Sequence, residues 1–222
     1  MKNVMAAICL VLTFAACEKE KDVKDSDAET LVLTSGSIAK WKGFLETGYF
    51  NSGTIRLDAD ELQLKGDRIT GGEITIPVSS IVITNELPPD KKIELLHHLQ
   101  SPDFFNMLVH PNVVYTISAA EKTSTTDAQG NNYLIKGSLK LLDKSLPLDI
   151  PAKISISQAE VKVVSTFKFD RTKWGMTFAS DATLPPADKI KNDIEVELDM
   201  KASRPSRASS VSPGKDRIPA YQ

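Results

Sequence analysis

Residues 194–201 read Ile-Glu-Val-Glu-Leu-Asp-Met-Lys, so that apolar and charged side chains alternate without interruption. Successive side chains of a β-strand point to opposite faces, and this stretch therefore predicts a strand with one buried and one solvated face. The same period of two recurs along most of the chain. The other predicted strands cover residues 38–44, 54–58, 61–65, 74–78, 113–117, 133–141, 148–157, 161–169 and 176–179.

Turn-forming residues separate many of these strands. They include Asp58-Ala59-Asp60, Lys65-Gly66-Asp67, Gln129-Gly130-Asn131-Asn132 and Pro185-Pro186. Glycine, proline, asparagine and aspartate favour the backbone angles of tight turns. Many short alternating strands joined by such turns predict an all-β domain, either a sandwich or an antiparallel barrel.

One segment departs from the period of two. Ile93, Leu96 and Leu99 are spaced for one face of a helix, which we predict over residues 90–99. Pro88-Pro89 suit the start of that helix, because proline is favoured in the first helical turn. An amphipathic helix inserted in a β domain must bury its apolar face, so we expect it across an end of the barrel or against one wall.

A second short helix is predicted directly after the first. Ser101 is placed to cap it, Pro102 to occupy its first turn, and Asp103 to interact with the positive end of the helix dipole. Its apolar side would consist of Phe104, Phe105 and Leu108. This side also requires a buried position.

The N-terminus predicts export. Lys2 precedes an apolar run over residues 4–14 that ends in Ala15-Ala16-Cys17, the pattern of a secretory signal peptide over residues 1–16. The run is too short to span a bilayer, which takes about twenty apolar residues. Cysteine directly after the two small residues resembles a bacterial lipobox, which implies diacylation of Cys17. Two acyl chains would anchor the protein stably to a membrane. The alternative is an ordinary signal peptide followed by a free thiol.

The charge pattern divides the mature chain into three parts. Residues 17–34 are predicted to be a charged tether, or alternatively an export address for surface display. Residues 35–202 form the predicted domain. Residues 203–222, rich in serine, proline and basic residues, are predicted to be disordered, although their charges would also suit anionic lipid. We expect the protein in the cell envelope outside the cytoplasm, in the periplasm, at the outer membrane or at the cell surface.

Composition excludes some classes of protein. At 41% hydrophobic residues the chain can bury a core, and a net charge of -2 gives no argument for nucleic acid, whose binding favours a clustered basic face. Cys9 lies in the predicted signal peptide, which leaves Cys17 alone and no internal disulfide.

The sequence offers little for catalysis or metal binding. It has no Gly-x-Ser-x-Gly, His-Glu-x-x-His, phosphate-loop or dinucleotide-binding motif. Adjacent His97 and His98 would point about 100° apart on a helix, and His110 has no regularly spaced metal-ligating partner. We therefore expect no metal site, assign no catalytic residue and do not expect an enzyme. An enzyme acting on a lipid would need a perturbed acid-base group in a pocket.

The central part of the chain resembles the YceI-like family. Residues 98–105 read His-Leu-Gln-Ser-Pro-Asp-Phe-Phe, and His110-Pro111 and Tyr115 follow, as in that family's central motif. The resemblance runs from residue 35 to 202 and includes residues 41–43, 71–81, 133–139 and 171–175. One departure lies at residues 49–53, Tyr-Phe-Asn-Ser-Gly, where many members have His-Ser-Gly. No role of that histidine is transferred.

The resemblance implies a lipocalin-like antiparallel β-barrel whose interior holds a long isoprenoid, a quinone or a polyprenyl phosphate. About eight strands give a barrel wide enough for side chains or one small ligand, which agrees with the strand count. The alternative is a structural or adhesive envelope protein whose barrel is filled by its own side chains. The predicted partners are therefore the isoprenoid and, through the anchor at Cys17, a membrane.

Large apolar side chains are the candidates for the cavity wall, although cores use the same residues. The lipid-binding candidates are Trp41, Phe44, Phe50, Phe104, Phe105, Met107, Tyr115, Phe167, Phe169, Trp174, Met176 and Phe178. Four cations could contact a phosphate or quinone head group, or could equally form surface ion pairs. These head-group candidates are Arg56, Arg68, Lys168 and Arg171.

Overall fold

The computed structural model describes residues 28–205, which contain twelve strands, one α-helix and two 3₁₀ turns at Val78–Ser80 and Arg171–Trp174. The helix α1 covers Pro89–Gln100. The strands are β1 (Ala28–Leu33), β2 (Ile38–Leu45), β3 (Phe50–Arg56), β4 (Asp58–Lys65), β5 (Arg68–Pro77), β6 (Val82–Ile83), β7 (Asn112–Lys122), β8 (Tyr133–Leu141), β9 (Lys144–Pro147), β10 (Ile150–Ile156), β11 (Glu160–Asp170) and β12 (Ile190–Ser203).

The strands form a closed antiparallel barrel with eight positions. β1 and β2 together occupy one position, because β12 pairs with both of them. β3 and β4 occupy the next position, because β3 pairs with β2 and β4 pairs with β1. The order continues through β5, β7, β8, β10, β11 and β12 and returns to β1. β6 extends the sheet beyond β3, and β9 pairs with β8. The predicted barrel of about eight strands is thus confirmed.

The barrel closes where its first and last strands meet. The Thr34 amide donates to the Lys201 carbonyl at 2.8 Å, and the Lys201 amide donates to the hydroxyl of the buried Ser37 at 3.1 Å. Arg204 adds a two-point ion pair to Glu29, with N–O distances of 2.8 and 3.0 Å. These contacts leave the barrel without an open edge at this position.

The described strands extend past the predicted limits of the domain, residues 35 and 202. β1 occupies residues 28–33 of the segment predicted as a tether; its few inward side chains give too short an alternating pattern to be recognised. Ser203 ends β12, and Arg204 binds Glu29, so the barrel includes the start of the predicted disordered tail. The signal peptide, Cys17 and residues 206–222 lie outside the described residues.

One end of the barrel, next to the turns at residues 65–68 and 157–160, is filled by side chains. We call it the packed end. Its core residues are between 0 and 3% exposed and include Leu31, Leu62, Leu64, Ile69 and Val161. Such close apolar packing supplies most of the stability of a β domain.

The helical insertion covers the opposite end. α1 agrees with the predicted helix, but its inner side consists of Leu95, Leu96 and Leu99, whereas Ile93 is 55% exposed. In the residues that the structure describes, no helix has the length and apolarity to cross a membrane.

The predicted second helix is wrong, because residues 101–109 form successive turns. The amides of Phe104 and Asn106 both donate to the Ser101 carbonyl, and Asn106 has a positive φ of 46°, which interrupts a right-handed helix. Asp103 instead lies 3.0 Å from Nε2 of His98.

The strand predicted at residues 176–179 is also wrong. Ala179 has a positive φ of 50°, and the carbonyls of Met176 and Phe178 accept hydrogen bonds from a buried arginine instead of a neighbouring strand.

Candidate ligand-binding cavity

The half of the barrel nearer α1 is hollow. Its interior is a cavity of about 320 Å³, within the range of small-molecule sites. Side chains from all eight barrel positions form the wall, together with residues of α1 and of the turns after it. The wall is mostly aliphatic, and typical members are Ile74, Ile117, Ile135, Val163, Val196 and Leu198. We call this half the hollow end.

α1 and the turns after it close the hollow end. Leu95, Leu99 and Phe105 contribute apolar side chains to the cavity wall. The ring of His98, also in the wall, packs edge-on against Phe104 with centroids 5.0 Å apart. These contacts join the helix to the turns, so that the insertion caps the cavity as one unit.

The structure places eight of the twelve lipid-binding candidates in the cavity wall. They are Trp41, Phe44, Phe104, Phe105, Tyr115, Phe167, Phe169 and Met176. The cavity wall therefore combines aromatic rings, from strands and from the turns after α1, with aliphatic side chains.

The other four candidates lie outside the wall. Phe50 and Phe178 are 42 and 40% exposed, and Met107 packs partly buried against the core. Trp174 is 3% exposed, and its indole N–H donates to the Leu139 carbonyl at 2.8 Å. Trp174 is therefore a structural residue that supports the barrel wall from outside the cavity.

Three of the four head-group candidates do not reach the cavity. Arg56 is exposed and forms a two-point ion pair with Asp58 at 2.9 and 3.0 Å. Lys168 is exposed and lies 2.6 Å from a carboxylate oxygen of Glu195. Arg68 is exposed at the start of β5. The alternative given by the sequence, a surface ion pair, describes Arg56 and Lys168.

Arg171 lines the cavity but is engaged elsewhere. It is fully buried, and its guanidinium N–H groups donate to four backbone carbonyls. These acceptors belong to Met176, Phe178, Ile190 and Lys191. Burial lowers the pKa of the guanidinium, and the nearby Asp170 carboxylate opposes this change. Arg171 thus holds the 171–190 loop to the start of β12.

Tyr115 is held in a fixed position at the wall. Its hydroxyl donates to the Leu148 carbonyl at 2.8 Å, and burial, with a smaller contribution from Asp149, raises the pKa of the phenol. The ring fits because Gly137 on β8 has no side chain. A Cβ there would lie 2.7 Å from the ring and 2.5 Å from the Thr116 carbonyl.

Adding that methyl group tests this packing. We expect Gly137→Ala to lower the free energy of unfolding by about 1–3 kcal/mol, because backbone atoms must move to relieve the clash. Gly71→Ala is the matched control, since its Cβ would meet only the Ile117 carbonyl at 3.5 Å. The control should change stability by less than about 0.5 kcal/mol in urea denaturation. Equal effects of the two changes would contradict the fit described for Tyr115.

Residues 28–205 contain no group of three or more metal-ligating side chains close enough to bind one ion. His98 lies beside Asp103, and His110 lies 3.7 Å from a carboxylate oxygen of Asp143. The sequence did not indicate the aliphatic part of the wall, nor Asn51, whose side chain lines the cavity at the hollow end.

The fold and the cavity together define a lipocalin-like β-barrel. The family model of the YceI-like domain matches residues 25–202. The chain therefore belongs to the YceI-like family. The match begins ten residues before the start at residue 35 that was predicted from the sequence, and it includes β1.

Several solved structures are similar in fold. A polyisoprenoid binding domain from Saccharophagus degradans, implicated in plant cell wall breakdown, has a TM-score of 0.58 at 10% identity, covering 80% of this chain and 99% of that chain. Burkholderia cenocepacia BcnA has a TM-score of 0.56 at 12% identity, and the match covers 74% of this chain and 95% of BcnA. A mutant YCEI protein of Campylobacter jejuni has a TM-score of 0.51 at 18% identity, and the match covers 67% of this chain and 80% of that chain. No curated protein sequence matches the chain.

Proposed function

We propose that the protein is a non-catalytic lipid carrier that holds an isoprenoid, a quinone or a polyprenyl phosphate, in the hollow end of its barrel. Acyl chains on Cys17 would keep it at a membrane outside the cytoplasm. The family membership and the polyisoprenoid binding domain among the similar folds support an isoprenoid. The observation on which the proposal depends is the apolar cavity itself.

An unfilled cavity of this size is unfavourable. A fully enclosed, dry apolar space of 320 Å³ would cost on the order of 8 kcal/mol at about 24 cal/mol per Å³. Native domains are stable by only about 5–15 kcal/mol. Water is a poor occupant, because a buried water needs two to four polar partners. An apolar ligand removes most of this cost.

The energetics favour exchange of the ligand over permanent storage. Transfer of an isoprenoid from water to the cavity gains about 0.8 kcal/mol per methylene-sized group, but a bilayer offers nearly the same gain. Uptake from a membrane is then close to neutral, so that a bound lipid can be released again. An anchor at Cys17 would raise the local concentration of carrier near its donor membrane.

Lipid extraction tests the proposal directly. The full-length protein is purified without detergent exchange, extracted with organic solvent, and the extract is analysed by mass spectrometry. We expect an isoprenoid in near-stoichiometric amount. An extract without isoprenoid, from protein that still has a hollow end accessible to apolar dyes, would contradict the proposal.

A further inference from the structure

Exposed apolar side chains are concentrated at the hollow end. In residues 28–205 nine large apolar side chains are exposed, and three of them, Val32, Val82 and Val164, lie singly on strands. The other six lie on segments that surround or cover the hollow end: Tyr49, Phe50, Ile93, Leu108, Val109 and Phe178. We call these six side chains the rim. Single exposed apolar residues are normal, but a group of them at one end of a domain marks an interaction site.

The most exposed part of the rim is not explained by packing. Leu108 and Val109 are consecutive in the turns after α1 and are 94 and 64% exposed. Tyr49 and Phe50 follow the turn between β2 and β3, and Phe178 lies in the 171–190 loop. A side chain as exposed as Leu108 contributes little to folding, because it removes almost no apolar area from water.

The rim is continuous with the cavity wall. Tyr49 belongs to the wall although it is 52% exposed. The ring of Phe178 packs against His98 and Phe104, two wall residues, with centroid distances of 4.7 and 5.5 Å. An apolar ligand that leaves the cavity at this end therefore meets apolar surface and not only polar groups.

Charges of both signs lie side by side around the rim. The N–O distances are 2.6, 3.4, 3.0 and 3.7 Å in the pairs Lys91–Glu94, Lys189–Glu46, His98–Asp103 and His110–Asp143. Anionic lipid attracts clusters of cations that have no carboxylates between them. The paired charges of the rim suit a zwitterionic surface instead.

The chain enters and leaves the described barrel far from the rim. Ala28, the first described residue, pairs with Lys65 at the packed end. Arg204, next to the last described residue, binds Glu29 at the same end. Both connections to the rest of the chain are thus made at the end opposite the rim.

We propose that the rim docks the hollow end onto a zwitterionic lipid bilayer, with its apolar side chains inserted at the level of the head groups. A fluid bilayer accepts apolar side chains from separate segments, whereas a protein partner would need a pocket matched to each. The inference rests on the proposed function in one respect, because a bilayer is also the source of an apolar ligand. It adds the surface at which the lipid is exchanged.

Vesicle binding tests this docking surface. A chain of residues 18–222 retains every described strand, the cap and the contacts that close the barrel, and it lacks both the apolar run and Cys17. We expect it to float with phosphatidylcholine vesicles. Leu108→Asp should weaken this binding about tenfold or more, since burial of one leucine side chain corresponds to a factor of that size. Added phosphatidylglycerol should change the binding by less than about twofold.

Two valines of nearly equal exposure provide a matched control. Val109→Asp and Val32→Asp introduce the same carboxylate at positions that are 64 and 62% exposed, the first in the rim and the second on β1. Val109→Asp should weaken vesicle binding about fivefold, and Val32→Asp should leave it unchanged. Equal midpoints of urea denaturation show that both variants are folded. Equal loss of vesicle binding in the two variants would overturn the role of the rim.

The outcomes also separate the docking surface from the proposed function. If the unsubstituted chain carries an isoprenoid but does not bind vesicles, the docking surface is wrong and the carrier function stands. If it binds vesicles through the rim but its organic extract contains no isoprenoid, the carrier function fails and the docking surface stands. Two further results would overturn the inference. Binding that requires phosphatidylglycerol would assign the rim to an anionic surface. Self-association that Leu108→Asp abolishes, without vesicle binding, would assign it to a second copy of the chain.

Discussion

Arg171→Met is expected to lower the free energy of unfolding by about 3–5 kcal/mol, because four buried hydrogen bonds from a charged donor are lost at once. Methionine occupies a similar volume but leaves four backbone carbonyls without a donor, and an unsatisfied buried carbonyl is costly. The loop over residues 171–190 should then separate from β12. Urea denaturation of delipidated protein measures the change.

Two further variants make this expectation specific. Arg171→Lys should recover less than half of the loss, because an ammonium group cannot reach four acceptors as a planar guanidinium does. Arg68→Met removes an exposed arginine and should change stability by less than about 0.5 kcal/mol. A loss below about 1 kcal/mol for Arg171→Met would mean that the four hydrogen bonds do not hold the loop.

Val196→Trp is expected to reduce the isoprenoid that co-purifies with the protein at least tenfold. Val196 belongs to the cavity wall and is only partly buried, so the indole would occupy ligand space. Val164 is 38% exposed on the outer face of the adjacent strand β11, which makes Val164→Trp a control of the same chemistry. The control should retain the ligand. Mass spectrometry of both extracts gives the comparison.

The stability of the delipidated Val196→Trp protein distinguishes a cavity from a filled core. In a hollow barrel the added ring has room, and stability should change by less than about 1 kcal/mol. In a barrel filled by its own side chains, overpacking would lower it by about 1–3 kcal/mol. That loss, with no change in co-purified lipid, would favour the structural or adhesive alternative.

Much of the barrel was predictable from side-chain alternation. Residues 133–141 were predicted as a strand and form β8 with the same limits, and residues 194–200 lie within β12. Alternation identifies strands that have one buried face and enough length. Alternation misses β1. It also cannot foresee that the carbonyls of Met176 and Phe178 accept hydrogen bonds from Arg171 instead of from a neighbouring strand.

The site was less predictable, because side chains of one type play different roles. Trp41 and Trp174 were both candidates for the cavity wall, yet Trp41 lines the cavity and the indole of Trp174 donates to a backbone carbonyl. Arg171 and Arg56 were indistinguishable as cations until the structure showed one buried and one solvated. Asn51 carries no apolar side chain, and its place beside Trp41 depends on the register of β2 and β3.

The pairing of β12 with β1 and β2 has a consequence for how the protein is made. Thr34 and Lys201 are separated by 167 positions, so the ring of strands stays incomplete until nearly the whole described chain has left the ribosome. Contacts between such distant positions form slowly, and until then two strand edges remain open to wrong partners. In the proposed carrier, an isoprenoid can therefore be enclosed by the barrel only after β12 has docked.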